Sequence, residues 1–214
     1  NNGNKILSAF SEKELPAILA KYPGLRYTFE GEQREQREAM EELSWGLVAS
    51  LFAIFAILAS LLRSYLQGFI VLLTIPWSVA GAVIGHVLLG FELSIFSVFG
   101  MIALCGMVVN GGFVLAVTRN RYLDTGVPLH EATMLAAQRR FRPIFLTALT
   151  TFLGLMPIIF ETSVHSLFLV PMAISLGIGT LVSTFVILIL IPVVFVSLEN
   201  KGLLRGELEV SPKA

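Results

Sequence analysis

The sequence predicts an all-α polytopic membrane protein of five transmembrane helices, with a short α+β segment at its N-terminus. Three observations carry this. Five apolar runs, near 44–62, 68–90, 93–118, 143–160 and 167–198, are each about long enough to cross a bilayer, which takes about 20 mostly apolar residues. The chain of 214 residues is 55% hydrophobic and 14% charged, with mean hydropathy +0.80, a composition no soluble domain of this size needs. Acidic residues stand only at the edges of the runs, at Glu92, Asp124, Glu131, Glu161 and Glu199. A transporter driven by ions usually keeps a carboxylate at membrane depth. If this chain serves one, that carboxylate is supplied from elsewhere.

Residues 1–30 are soluble in character. Ser11 with Glu14 forms a capping-box pattern, and Leu15, Ile18 and Leu19 give one helical face. Pro23-Gly24 marks a turn, and Leu25, Tyr27 and Phe29 alternate with polar residues as in a half-buried strand. This helix-turn-strand is too small to fold alone. It reads as the end of a larger domain, and the absence of an initiator Met at Asn1 reads the same way. Residues 31–43 are charged and helix-favouring, a linker helix leading into the membrane.

The first span ends at Arg63-Ser64-Tyr65, an interfacial anchor pattern. The second holds Pro76 and a GxxxG at Gly81–Gly85, which predicts close packing against a neighbouring helix. The third carries Gly100, Gly106, Gly111 and Gly112 and must be packed on other helices. Residues 128–140 read as an amphipathic surface helix, with Pro128 in its first turn and Leu129, Ala132 and Leu135 on one face. The fifth span is long, with Pro171 near its start and Pro192 near its end. Residues 199–214 form a polar tail.

Lys and Arg set the orientation. Arg63, the Arg119–Arg142 segment and the tail carry basic residues, whereas loops 89–93 and 161–166 carry none. The positive-inside rule makes the first group cytoplasmic, the N-terminal segment periplasmic and the C-terminus cytoplasmic. Zero net charge gives no case for nucleic acid. Cys105 is the sole cysteine, so no intrachain disulfide forms. His86, His130 and His165 have no metal-ligand spacing. No cofactor or metal is predicted, and no enzymatic activity.

Several polar residues fall at membrane depth. Asn110 reads either as an interhelical hydrogen bond or as a relay member. Thr147, Thr150 and Thr151 each bond back to their own helix or take part in a relay. His86 reads first as a histidine with a satisfied hydrogen bond and second as a proton carrier. Glu161 and His165 read as solvated.

Certain segments are more specific. These are Gly31-Glu32, Ser64-Tyr65, Ile75-Pro76, Gly85-His86 with Gly90-Phe91-Glu92-Leu93-Ser94, and Gly106-Met107-Val108-Val109-Asn110. The strongest runs from Arg140-Phe141-Arg142-Pro143 through Thr147 to Gly154-Leu155-Met156-Pro157, followed by Phe168–Ala173 and Ser175-Leu176-Gly177. In this order and spacing they resemble the C-terminal half of resistance–nodulation–division (RND) efflux transporters, of the acriflavine-resistance type. The resemblance implies that the five spans are the eighth to twelfth of twelve, behind a periplasmic porter subdomain. It implies proton-driven export of amphiphilic compounds by a homotrimer in the bacterial inner membrane. The partners implied are the N-terminal half of the same protein, a periplasmic adaptor and an outer-membrane channel, besides membrane lipids. By the same resemblance Thr147 matches a relay threonine, Arg140 the basic residue at that span's cytoplasmic mouth, and Asn110 the position of a relay lysine in many drug pumps. Gly111 and Val117 depart from the branch, which carries a polar and an acidic residue there. The competing expectations are an RND-fold lipid or hopanoid exporter and, from another class, a non-transporting scaffold or inactive fragment.

Overall fold

In a computed structural model the apolar runs become helices because lipid offers backbone groups no partner, so each N–H and C=O must be satisfied within its own segment. The structure describes residue 10 and residues 12–21, 32–163, 166 and 168–200. The predicted strand, the Pro23-Gly24 turn, Ser11, His165 and the polar tail beyond Asn200 lie outside them. Contacts divide the chain into two units, residues 1–42 and 43–214.

In the first unit α1 (Leu15–Lys21) follows a turn in which the Glu14 N–H donates to the Phe10 carbonyl. Leu15 is buried and Ile18 is exposed. The charged residues 32–43 and the first apolar run belong to one helix, α2, over Glu32–Leu62. Its charged turns hold the exposed Arg34–Glu38 pair at 2.7 Å, worth little by itself.

In the second unit α2 ends where Arg63 adopts a left-handed φ of 51°. Ser64 then caps α3 (Tyr65–Leu72), its hydroxyl accepting from the Gln67 N–H at 3.1 Å. A single span was expected over 68–90. The structure forms it over Tyr65–Leu89, with the helix interrupted at Leu73 between α3 and α4 (Thr74–Leu89). Pro76 is the cause, since it has no N–H for the Leu72 carbonyl and its ring crowds the preceding turn. Hydroxyls compensate beside it: Thr74 donates to the Val71 carbonyl at 2.6 Å and Ser78 to the Thr74 carbonyl at 2.8 Å. Gly90, at φ 72°, closes α4 in the left-handed conformation that glycine adopts without strain.

Ser94 and Ser97 form a reciprocal capping box at the start of α5 (Ile95–Asp124). Next, α6 spans Leu129–Ile159 as one helix. The surface helix over 128–140 and the span over 143–160 are therefore not separate elements, and Pro143 lies inside the joined helix. Ala132, Thr133 and Ala136 are buried before Pro143 and Ala148 after it, with Arg140 and Ile144 half-buried between them. Finally, α7 covers Leu169–Asn200.

The core forms around α7, which packs on α4, α5 and α6. The GxxxG expectation is met here. A Cβ on Gly81 would lie 2.5 Å from Val182, and one on Gly85 2.9 Å from Ile178, so α4 and α7 run antiparallel at close approach. The α5–α7 seam is parallel: the Ser175 hydroxyl donates to the Ser97 carbonyl at 2.9 Å, and Gly111 meets Ile187. Leu104, Val108, Leu115, Ile187, Ile191 and Phe195 fill the seam.

Candidate functional site

Helical spacing brings three faces together around one groove of about 200 Å3. From α5 come Met107, Asn110 and Val114, at steps of three and four residues. From α6 come Arg140, Ile144 and Thr147. From α7 come Thr180, Ser183, Thr184 and Ile187. All three residues singled out from the sequence, Asn110, Arg140 and Thr147, thus line the same groove.

Each presents different chemistry. Asn110 is exposed to the groove rather than enclosed, and it makes no hydrogen bond among the described residues. The interhelical bond considered for it is not formed here, and its amide offers both donors and an acceptor. Thr147 donates its hydroxyl hydrogen to the Pro143 carbonyl at 2.9 Å. That leaves its oxygen lone pairs facing outward, so back-bonding and groove lining coexist. Arg140 donates from Nε to the Thr118 Oγ1 at 2.7 Å, and Thr118 in turn donates to the Val114 carbonyl at 2.7 Å.

The hydroxyls of α7 escaped the sequence reading. Ser183 and Thr184 both donate to the Thr180 carbonyl, at 2.8 and 2.9 Å. Their oxygens remain as acceptors along the wall of the groove. The signal was present as three hydroxyls at positions i, i+3 and i+4 of an otherwise apolar span. Thr150 donates to the carbonyls of its own helix and, with Thr151, is not part of the lining.

His86 lies elsewhere and is 1% exposed. Its Nδ1 is 3.0 Å from the Ala82 carbonyl, which only an N–H can satisfy, and its Nε2 is 2.9 Å from the Ser97 hydroxyl. This is the satisfied histidine expected first. Glu161 is exposed and accepts from the Thr162 and Ser163 N–H groups at 3.1 Å.

Arg119 was placed in a loop and is instead fully buried, because α5 continues to Asp124. Its Nε donates to Thr133 Oγ1 at 3.1 Å and its Nη1 to Asn120 Oδ1 at 3.2 Å, while the Phe195 ring lies 4.3 Å away. The aromatic face attracts the cation and the hydrogen bonds offset its desolvation. Asn120 also reaches Gln67 on α3 at 2.8 Å.

Residues 3–199 match the AcrB/AcrD/AcrF family. The chain belongs to that family of RND transporters. Two crystal forms of a heavy metal efflux pump are similar to it in structure. Form I has a TM-score of 0.71 at 26% identity, covering 91% of this chain and 19% of the pump chain. Form II has a TM-score of 0.74 at 25% identity, covering 91% and 20%. The chain therefore spans about a fifth of the length of the structures it matches. The five-span membrane bundle of this family member is the one the sequence predicts.

Proposed function

We propose that this family member forms part of a secondary transporter, driven by the proton motive force, that exports drug-like or lipophilic compounds across the bacterial inner membrane. The observation that carries the reading is the convergence of Asn110, Arg140 and Thr147 on one groove. Arg140 is a cation held by Thr118, Asn110 an amide able to donate and accept, and Thr147 a hydroxyl acceptor on the same lining. Such a groove suits an acidic group that gains and loses a proton. In this reading the acidic group comes from spans outside this chain, and a homotrimer works with a periplasmic adaptor and an outer-membrane channel.

The test uses the intact transporter in cells lacking other efflux pumps. Accumulation of a lipophilic cationic dye is expected to fall, and a protonophore is expected to restore it. A second reading, metal-ion export, is favoured by the likeness to a heavy metal efflux pump. Under it tolerance to heavy-metal salts rises and dye accumulation does not change.

The proposed orientation puts the N-terminal segment in the periplasm and the C-terminus in the cytoplasm. Ser163 and Thr125 are exposed, on opposite sides of α6 in sequence, and the native Cys105 is buried. An impermeant thiol reagent applied from outside is expected to label Ser163→Cys and spare Thr125→Cys. The reverse pattern overturns the orientation.

A further inference from the structure

We propose that Thr118 is the positioning residue that holds the Arg140 guanidinium at the groove. The inference rests on the relay reading of that groove and adds to it a residue no motif singled out.

The geometry is specific. The Thr118 hydroxyl hydrogen is committed to the Val114 carbonyl at 2.7 Å, so its lone pairs point away from its own helix. Arg140 Nε donates into them at 2.7 Å, a short, charge-assisted bond. Thr118 is buried, with 4% exposure, so water competes poorly for that bond. Val114 itself lines the groove beside Arg140. One turn of α5 therefore forms the groove wall and anchors the arm that crosses it.

With Nε engaged, the planar guanidinium is fixed about its long axis. Its two Nη groups make no hydrogen bond among the described residues and remain for an anion. A free arginine chain loses rotamer entropy whenever it is held; here that cost is met before any anion arrives. A second bond keeps the helices in register. Arg119 Nε donates to Thr133 Oγ1, two turns before Arg140 on the same face of α6. The α5–α6 pair is thus tied at two points, each an arginine from one helix on a threonine from the other.

The competing role for Thr118 is purely structural, satisfying the Val114 carbonyl. A double-mutant cycle in the intact transporter separates the two roles, with initial export rates read at matched membrane abundance. Thr118→Val keeps the shape and loses the hydroxyl; it is expected to slow export about fivefold, within the range of coupling for residues in direct contact. Thr118→Ser is expected to restore near-normal rates. In an Arg140→Ala background Thr118→Val is expected to add nothing. Export unaffected by Thr118→Val, with Arg140→Ala impaired, overturns the positioning role alone, as do effects that multiply in the double variant. Normal export by Arg140→Ala overturns the relay reading beneath it.

Discussion

Thr147→Ala is expected to slow export by the intact transporter about tenfold, while Thr151→Ala stays near wild type. The two residues are four apart on α6 and share its general direction. Only Thr147 lines the groove with Asn110 and Arg140. Its hydrogen is held by the Pro143 carbonyl at 2.9 Å, which fixes where its lone pairs point. A water or protonated group in the groove can donate to them, and alanine offers nothing in their place. Losing one hydrogen bond of ordinary net strength, about 1–1.5 kcal/mol, corresponds to roughly tenfold. The bland alternative is that the hydroxyl serves only its own helix. In that case Thr147→Ala and Thr151→Ala behave alike at matched expression, and the relay is left to Asn110 and Arg140.

The five spans were legible because each carries an apolar length that only a bilayer or a buried core accepts. Helix ends were harder. Pro143 and the cluster Arg139, Arg140 and Arg142 look like the end of one element and the start of another. Yet α6 is continuous through them, with Pro143 inside the helix. Charge and proline read as a boundary there, although a proline inside a membrane helix is tolerated where its neighbours re-satisfy the freed backbone groups. Pro76 had a different outcome, interrupting the helix at Leu73 within a span that still runs over Tyr65–Leu89. For the site, the family pattern named three residues that share the groove. Periodicity alone could give their depth and not their direction, because which face of a helix is covered depends on its neighbours. Arg119 shows the same limit. An arginine just past an apolar run reads as part of a solvated basic segment, whereas a threonine, an asparagine and a phenylalanine from α6, α5 and α7 meet this one in the interior.

Gly100 and Gly106 are a second pair that the sequence cannot tell apart, and their substitutions are expected to differ sharply. Both lie on α5, and both read as small residues in a packed span. A Cβ on Gly100 would sit 2.5 Å from the Met172 carbonyl oxygen and 2.7 Å from the Ser175 Cβ. The first of these is backbone, so relief requires α5 and α7 to move apart. The Ser175–Ser97 bond at 2.9 Å lies one turn away and would be strained by that motion. A Cβ on Gly106 meets nothing within 4 Å, and replacing a mid-helix glycine there gains about 0.5–1 kcal/mol of helix stability. Overpacking at Gly100 costs about 1–3 kcal/mol, a fall of roughly 5 °C in Tm for a protein of this size. The buried Cys105 is the reporter, since a thiol-reactive dye reaches it only as the bundle opens. In detergent-solubilised chain Gly100→Ala is expected to melt about 5 °C early and Gly106→Ala no earlier than wild type. Equal melting of the two variants would mean that the α5–α7 seam is not the close backbone contact described here.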